Sequence, residues 1–151
     1  MSRTGKGMLA GFAATVVLSA LMVMKTAMGV MPALDLPRMI AGMMGQSGMP
    51  AIGWAAHFMI GIVLYGVAIV LLDQRLPASH TVRGMIVGAG GWLVMMTMLM
   101  PMAGAGLFAL GLGLMAPVMT LMLHLIFGAV LGAVYGRLVR DQDTRDVHAH
   151  A

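Results

Sequence analysis

The stretch Pro50-AIGWAAHFMIGIV-Leu64 decides the fold, because it is long, apolar and recurs later in the chain as Pro117-VMTLMLHLIFGAV-Leu131. Both copies fit the string P-x6-H-x3-G-x-V-L, which sets His57 and His124 at one spacing from a proline. Each copy belongs to an apolar run of about 20 residues, the length of a helix that crosses a bilayer. An ionisable side chain inside such a helix is costly and therefore indicates function.

The composition excludes an ordinary soluble domain. The 151 residues are 60% hydrophobic and 9% charged, whereas soluble domains carry about 25% charged residues. The net charge of +4 does not predict nucleic-acid binding, because the basic residues are scattered near the ends of the apolar runs. The chain has no cysteine, which excludes disulfides, cysteine-based metal sites and thiol catalysis.

Hydropathy predicts an all-α, integral membrane four-helix bundle. We expect a tail at residues 1–7, a transmembrane domain at 8–138 and a disordered tail at 139–151. The predicted spans are 8–31, 51–72, 84–100 and 117–138, and the first is too long for a signal peptide. A short interfacial helix is expected near residues 38–44. The uncharged, glycine-rich segment 102–116 is expected to dip into the interface or to pack against protein.

The basic residues predict the orientation of the bundle, because cytoplasmic loops carry an excess of lysine and arginine. Most of them lie in the two tails and in the middle link: Arg3, Lys6, Arg75, Arg83, Arg137, Arg140 and Arg145. The opposite side has only Lys25 and Arg38. Both termini are therefore expected in the cytoplasm.

The chain reads as two copies of a two-helix hairpin. Besides the histidine string, Gly7-Met8 followed by Gly11 matches Gly84-Met85 followed by Gly88. Hairpins with an even number of spans repeat in parallel, about an axis along the membrane normal. Seven residues at 1.5 Å each place both histidines about 10 Å from their prolines. We therefore expect the two imidazoles at one depth, in the outer half of the bilayer.

Glycines accompany both histidines. Gly61 and Gly128 follow His57 and His124 by one helical turn. Such glycines let transmembrane helices approach closely. The alternative is that the missing side chains leave room for a planar ligand beside the imidazoles.

The chain has 20 methionines. Most of them lie in the predicted outer halves of the helices or in the outer loops. Thioethers and imidazoles are both copper ligands, so His57, His124, Met59 and Met122 form a candidate metal site. The alternative is that methionine fills irregular cores.

The histidine pair has three interpretations. Each neutral imidazole could hydrogen-bond a neighbouring group, with Thr120 as the candidate beside His124. The pair could instead ligate haem b iron or copper, with Lys25 binding a haem propionate or else snorkelling to the outer interface. The third interpretation is a proton or pH gate.

Enzyme chemistry has little support in the sequence. No carboxylate falls inside a predicted span, and neither a G-x-S-x-G motif nor a phosphate-binding P-loop occurs.

The strings GFAATVVLSALMVMK, GWAAHFMIG, MPMAGAGLFALGLG and APVMTLMLHLIFGAVLGAVYG resemble an uncharacterised family of small bacterial inner-membrane proteins. The resemblance covers roughly residues 7–138. More distantly, the chain is similar to a four-helix inner-membrane type linked to acid resistance. These likenesses imply a multi-pass protein of the bacterial inner membrane, with no catalytic residue to carry over.

From these observations we expect a non-enzymatic membrane protein with a stress or accessory role, whose functional site is the histidine pair. One alternative is a haem- or copper-binding protein for electron transfer or metal handling. Another is a small proton, ion or solute transporter gated by the pair. The expected partners are the lipid bilayer and either further copies of the chain or a membrane complex.

Overall fold

A computed structural model describes residues 1–149, with side chains described through residue 141. The described residues form helices and no strands. Four helices are long and apolar enough to cross a membrane: α1 (Arg3–Ala27), α3 (Pro50–Asp73), α4 (His80–Met102) and α5 (Met115–Ala149), the last over its Met115–Asp141 part. The prediction of an all-helical chain with four such helices is confirmed.

Serine caps move two helix starts ahead of the predicted positions. The α1 helix begins at Arg3 rather than near Met8, because the Ser2 side chain accepts a hydrogen bond from the Gly5 amide. In the same way Ser79 accepts from the Val82 amide and starts α4 at His80 rather than near Gly84. A serine at the N-cap satisfies an amide that the helix itself leaves without a partner.

The prediction of a short helix near residues 38–44 is confirmed by α2 (Leu36–Met43). Asp35 caps it by accepting from the Arg38 amide, and Pro37 occupies its first turn. The helix packs on the beginning of α3, where a side chain at Gly53 would collide with the Pro37 carbonyl. The connection between α1 and α3 is therefore folded onto the bundle.

The C-terminal tail was predicted to be disordered, and this is wrong for its described part. The α5 helix continues without a break to Ala149. Val139, just beyond the predicted end of the helix, still packs against the main hydrophobic core. Packing at that turn continues the helix past the end of the predicted span. Residues 150 and 151 lie outside the described part.

The four long helices form a ring in which α1 and α4 each pack against both α3 and α5. The α3 and α5 helices lie diagonally and make few contacts with each other. Glycines set the closest approaches: Gly7 and Gly11 of α1 lie against the α3 backbone, and Gly84 and Gly88 of α4 lie against the α5 backbone. The two histidine-bearing helices therefore face each other across the bundle centre.

Two of the long helices are interrupted by π-helical turns. They lie at Ile60–Leu64 in α3 and at Met95–Leu99 in α4. A π-helical turn inside an α-helix is rare and is often found at a functional site. Beyond α4 the glycine-rich segment folds back, and its Ala105 and Ala109 are buried against Met96 and Met100. This segment packs against protein, one of the two outcomes expected for it.

Candidate functional site

A cavity of about 310 Å³ lies at the centre of the helix ring, and both histidines line it. Residues of α1, α2, α3, α4 and α5 all line it. The walls are almost wholly apolar. Their polar groups come from Thr15, His57, Tyr65 and His124. A mostly apolar cavity with a few convergent polar groups is the usual form of a small-molecule site.

His57 projects from the first half of α3 and is only 6% exposed. Trp54 and Phe58 meet its ring edge-on, with ring centroids 5.7 and 5.9 Å away. Its Nε2 atom is buried and has no hydrogen-bond partner among the described residues. Leaving a buried polar atom unsatisfied costs about 1–3 kcal/mol, so this nitrogen needs a partner that the protein does not supply.

His124 is held in one orientation by its own helix. Its Nδ1 lies 2.8 Å from the Thr120 backbone carbonyl, one turn back. A carbonyl can only accept, so Nδ1 carries the proton and donates it. In the neutral ring Nε2 is then left with a lone pair that can accept a hydrogen bond or bind a metal. The predicted contact to Thr120 exists, and it is made to the backbone carbonyl.

A second set of hydrogen bonds fixes the turn of α5 that orients His124. The Thr120 hydroxyl donates to the Ala116 carbonyl at 2.7 Å. The indole Nε1 of Trp92 on α4 lies 3.1 Å from that hydroxyl oxygen and 3.2 Å from the Pro117 carbonyl. Pro117 stands in the first turn of α5, where a missing amide proton costs little, and Trp92 ties this turn to α4.

The cavity opens sideways between α3 and α4. These helices touch where the Tyr65 side chain lies directly against Gly91. The side chains around the opening are apolar and exposed: Leu64, Val94, Met98 and Met102. A ligand can therefore reach the histidines from the side of the bundle rather than along its axis.

Both π-helical turns border this cavity. Ile60, Gly61 and Leu64 line it from α3. Met95, Met98 and Leu99 line it from α4. A π-helical turn rotates the residues after it relative to those before it, so it changes which side chains face the centre. The sequence does not predict these turns, because hydrophobic periodicity does not reveal a local change in hydrogen bonding.

The two predicted glycines have different surroundings. Gly61 lines the cavity, but a side chain there would collide with Thr15 of α1, whose hydroxyl donates to the Gly11 carbonyl. Gly128 lies against the backbone of Gly84 in α4 and is not among the residues that line the cavity. Gly128 therefore serves helix packing, and its predicted place beside a ligand is wrong.

Lys25 does not have either of its predicted roles. It is 8% exposed, and its Nζ atom donates to the carbonyls of Val30, Met31 and Leu34 at 2.9 to 3.2 Å. All three carbonyls belong to the chain that turns back after α1. The ammonium group therefore neither snorkels outward nor remains available for a haem propionate. It holds the turn that leads into α2.

Met59 and Met122 point away from the histidines, contrary to the predicted metal site. They are 63% and 60% exposed and do not line the cavity. Each is two residues from its histidine, and two residues rotate a helix by about 200°, to its opposite face. The thioethers that do line the cavity are Met43, Met95, Met98 and Met102. Within the described chain no three histidine, aspartate or glutamate side chains cluster to hold a metal.

Comparison with known proteins places the chain in a family but adds no activity. No curated protein and no solved structure matches it. A family model described as a family of unknown function, DUF6789, matches residues 1–146. This match includes the membrane-length parts of all four long helices, both histidines and the residues around the cavity. The chain therefore belongs to the DUF6789 family.

Proposed function

We propose that this is a non-enzymatic integral membrane protein that binds a small hydrophobic ligand between His57 and His124. The observation that carries the proposal is the buried, unpartnered Nε2 of His57 in an apolar cavity shared with His124. A ligand with one polar group would satisfy this nitrogen while its apolar part fills the cavity. The ligand enters from the lipid, through the opening between α3 and α4.

The bilayer placement follows from the surface and the charges. Large apolar side chains are exposed on all four long helices, for example Phe12, Leu71, Leu93 and Ile126. Lipid, further copies of the chain or a partner in a membrane complex would cover them. The basic residues favour cytoplasmic termini, which sets the histidines in the outer half of the bilayer. We propose the bacterial inner membrane, in line with the resemblance of the sequence.

The internal repeat remains part of this proposal. In the first hairpin Gly11 of α1 approaches the Gly61 carbonyl of α3, and in the second Gly88 of α4 approaches the His124 carbonyl of α5. Both contacts therefore join a glycine of the first helix to the histidine region of the second. An approximate twofold axis along the membrane normal would relate the two hairpins and make the histidines equivalent.

An accessory or stress role fits a binding site whose imidazoles have no carboxylate or lysine beside them in the described cavity wall. Among the described residues that line the cavity there is no carboxylate and no lysine that could act with the imidazoles. Acid–base catalysis normally needs such a positioned partner. Binding alone would let the protein hold, present or sense a membrane-soluble compound.

Copper is the second candidate ligand, because Met95 and Met98 line the same cavity as the two imidazoles. Imidazole and thioether together suit Cu(I). Haem b is less well supported. An engineered cavity of about 150 Å³ holds one benzene ring, so 310 Å³ matches about two rings rather than the four pyrroles of a porphyrin. Lys25 is also engaged by three carbonyls and cannot serve a propionate.

The test uses the purified protein in lipid nanodiscs and a brominated alkylphenol as the probe. Bromine quenches tryptophan fluorescence, and Trp54 lies against His57. We expect quenching that saturates and that the unbrominated alkylphenol reverses. We expect His57→Leu and His124→Leu each to weaken binding about tenfold, since each removes a hydrogen bond worth roughly 1.4 kcal/mol. The outward-facing Met59→Leu and Met122→Leu variants are the matched controls and should bind like the wild type.

Three outcomes would overturn the proposal. Quenching that rises linearly with probe, without saturation, would mean simple partitioning into lipid. A visible Soret band that both histidine variants lose would establish haem as the ligand instead. Stoichiometric copper in the purified protein, lost in the same variants, would favour the second candidate.

A further inference from the structure

We propose that the cavity selects a ring-bearing lipid whose ring carries a hydroxyl group, and so binds a quinol in preference to the corresponding quinone. This inference rests on the proposed function, since it names the class of ligand for the same site. Three features support it: the protonation of the two imidazoles, the composition of the walls and the direction of the opening.

The hydrogen bond of His124 determines what the ligand must offer. Because Nδ1 donates to the Thr120 carbonyl, Nε2 of the neutral ring can only accept. A ketone or a quinone oxygen also only accepts, so it leaves this nitrogen without a partner. A hydroxyl group donates its proton to it. The ligand therefore needs an O–H at this end of the cavity.

The His57 imidazole completes the arrangement. Its buried Nε2 has no partner within the described structure, and His57 lines the same cavity as His124. With its proton on Nε2, His57 donates to the oxygen of the same hydroxyl that donates to His124. One hydroxyl group then satisfies both histidines. Neither a carbonyl nor an ether can do this.

The walls favour an aromatic ring. Tyr65 and Phe127 line the cavity and meet edge to face, with ring centroids 4.8 Å apart. Met95 and Met98 of α4 line the same cavity, and thioethers make favourable contacts with aromatic rings. The volume of about 310 Å³ is twice that of a cavity that holds benzene, which leaves room for a substituted ring.

The opening between α3 and α4 gives the hydrocarbon tail of such a lipid a way out of the cavity. Leu64, Val94 and Met98 make its rim apolar and exposed between α3 and α4. A ring held at the histidines can therefore extend a hydrocarbon chain through this opening into the bilayer. Membrane quinols have this construction: a hydroxylated ring and a long apolar tail.

The experiment measures affinities by titration calorimetry in nanodiscs, with empty nanodiscs subtracted. The first ligand pair is decylphenol and its methyl ether, which differ in the hydroxyl proton. The second pair is a decyl-tailed benzoquinol, kept reduced under nitrogen, and its benzoquinone. We expect the phenol and the quinol to bind at least about tenfold more tightly than their partners, the ratio that one hydrogen bond of about 1.4 kcal/mol gives.

Variants of the protein test whether His124 causes the preference for the hydroxyl-bearing ligand of each pair. The His124→Leu substitution should remove most of the preference within each pair, and Met122→Leu should keep it. Equal affinity of the phenol and its ether for the wild type would overturn the inference and leave the proposed function standing. If neither the phenol nor the ether bound saturably, both this inference and the proposed function would be overturned. The comparison of ligands on the wild type needs no variant, so it decides the matter even if His124→Leu does not fold.

Discussion

His57 and His124 use their nitrogens differently although they occupy matching positions in the sequence. His124 has one nitrogen committed to the Thr120 carbonyl, whereas His57 has a buried Nε2 without a partner in the described residues. The shared proline spacing predicted that both would be found at one level, and both line one cavity. It could not predict the tautomers, because these depend on contacts of each ring with its own surroundings.

Other single residues were predicted less well, for identifiable reasons. The outward direction of Met59 follows from helix geometry alone, since it stands two residues from His57. The burial of Lys25 could not be deduced in this way. Its partners are carbonyls of a turn that exists only because α2 folds back onto α3.

The role of Lys25 gives a prediction for stability. Replacing it with methionine, Lys25→Met, keeps the length of the side chain but leaves the carbonyls of Val30, Met31 and Leu34 without their donor. We expect the free energy of unfolding to fall by about 2 kcal/mol, as for other hydrogen bonds to a charged group. Thermal unfolding in detergent measures this loss.

Arg38→Met is the control for that experiment. Its partner Asp35 forms an exposed ion pair with it at 3.3 Å, and such pairs contribute about 0–1 kcal/mol. An equal loss of stability in the two variants would contradict the structural role assigned to Lys25.

At the scale of helices, glycine positions and π-helical turns decide how the cavity is framed. Gly88 lets α4 approach the α5 backbone at His124, and the π-helical turns bring Gly61 and Met95 into the cavity wall. The hydropathy pattern predicted the four long helices well, since each corresponds to a long run of apolar residues in the sequence. It could not show the π-helical turns, which change the hydrogen bonding without changing the residue pattern.

A pair of glycines on one helix tests the close packing of α4 and α5. In Gly88→Ala the new methyl group would meet the His124 carbonyl, so α4 must move away from α5. We expect a loss of about 1–3 kcal/mol in stability, as for other overpacked sites, together with weaker ligand binding. In Gly90→Ala the methyl group meets no atom within 4 Å. Alanine should be neutral there or stabilise the helix by up to about 1 kcal/mol.

Thermal unfolding and alkylphenol titration of both glycine variants check this prediction. If Gly88→Ala were as stable as Gly90→Ala, the contact between the two helix backbones would not be as close as described.

At the scale of the whole molecule, the bundle places its histidine-bearing helices on a diagonal, so that one central cavity receives both imidazoles. The sequence predicted the number and type of helices, but not their order around the ring. That order depends on which helix faces fit together, and glycine contacts such as Gly7 with α3 establish it.

The proposed orientation can be tested because the natural chain has no cysteine. Single cysteines at Ser47, between α2 and α3, and at Gln74, between α3 and α4, both occupy exposed positions. In intact bacterial cells a membrane-impermeant maleimide should label Ser47→Cys strongly and Gln74→Cys only after the inner membrane is opened. The reverse pattern would mean that the histidines lie in the cytoplasmic half of the bilayer.

The central claim, that His57 and His124 together hold the polar group of a ligand, is tested most directly by nitrogen NMR. Protein with ¹⁵N-labelled histidines in nanodiscs is titrated with decylphenol, and each imidazole is assigned by substitution. The account predicts that the Nε2 resonances of both residues shift with one saturable affinity. His80, whose Nδ1 bonds Asp73 at the far ends of α3 and α4, should stay unchanged. Unchanged resonances of His57 and His124 at saturating phenol would contradict the account.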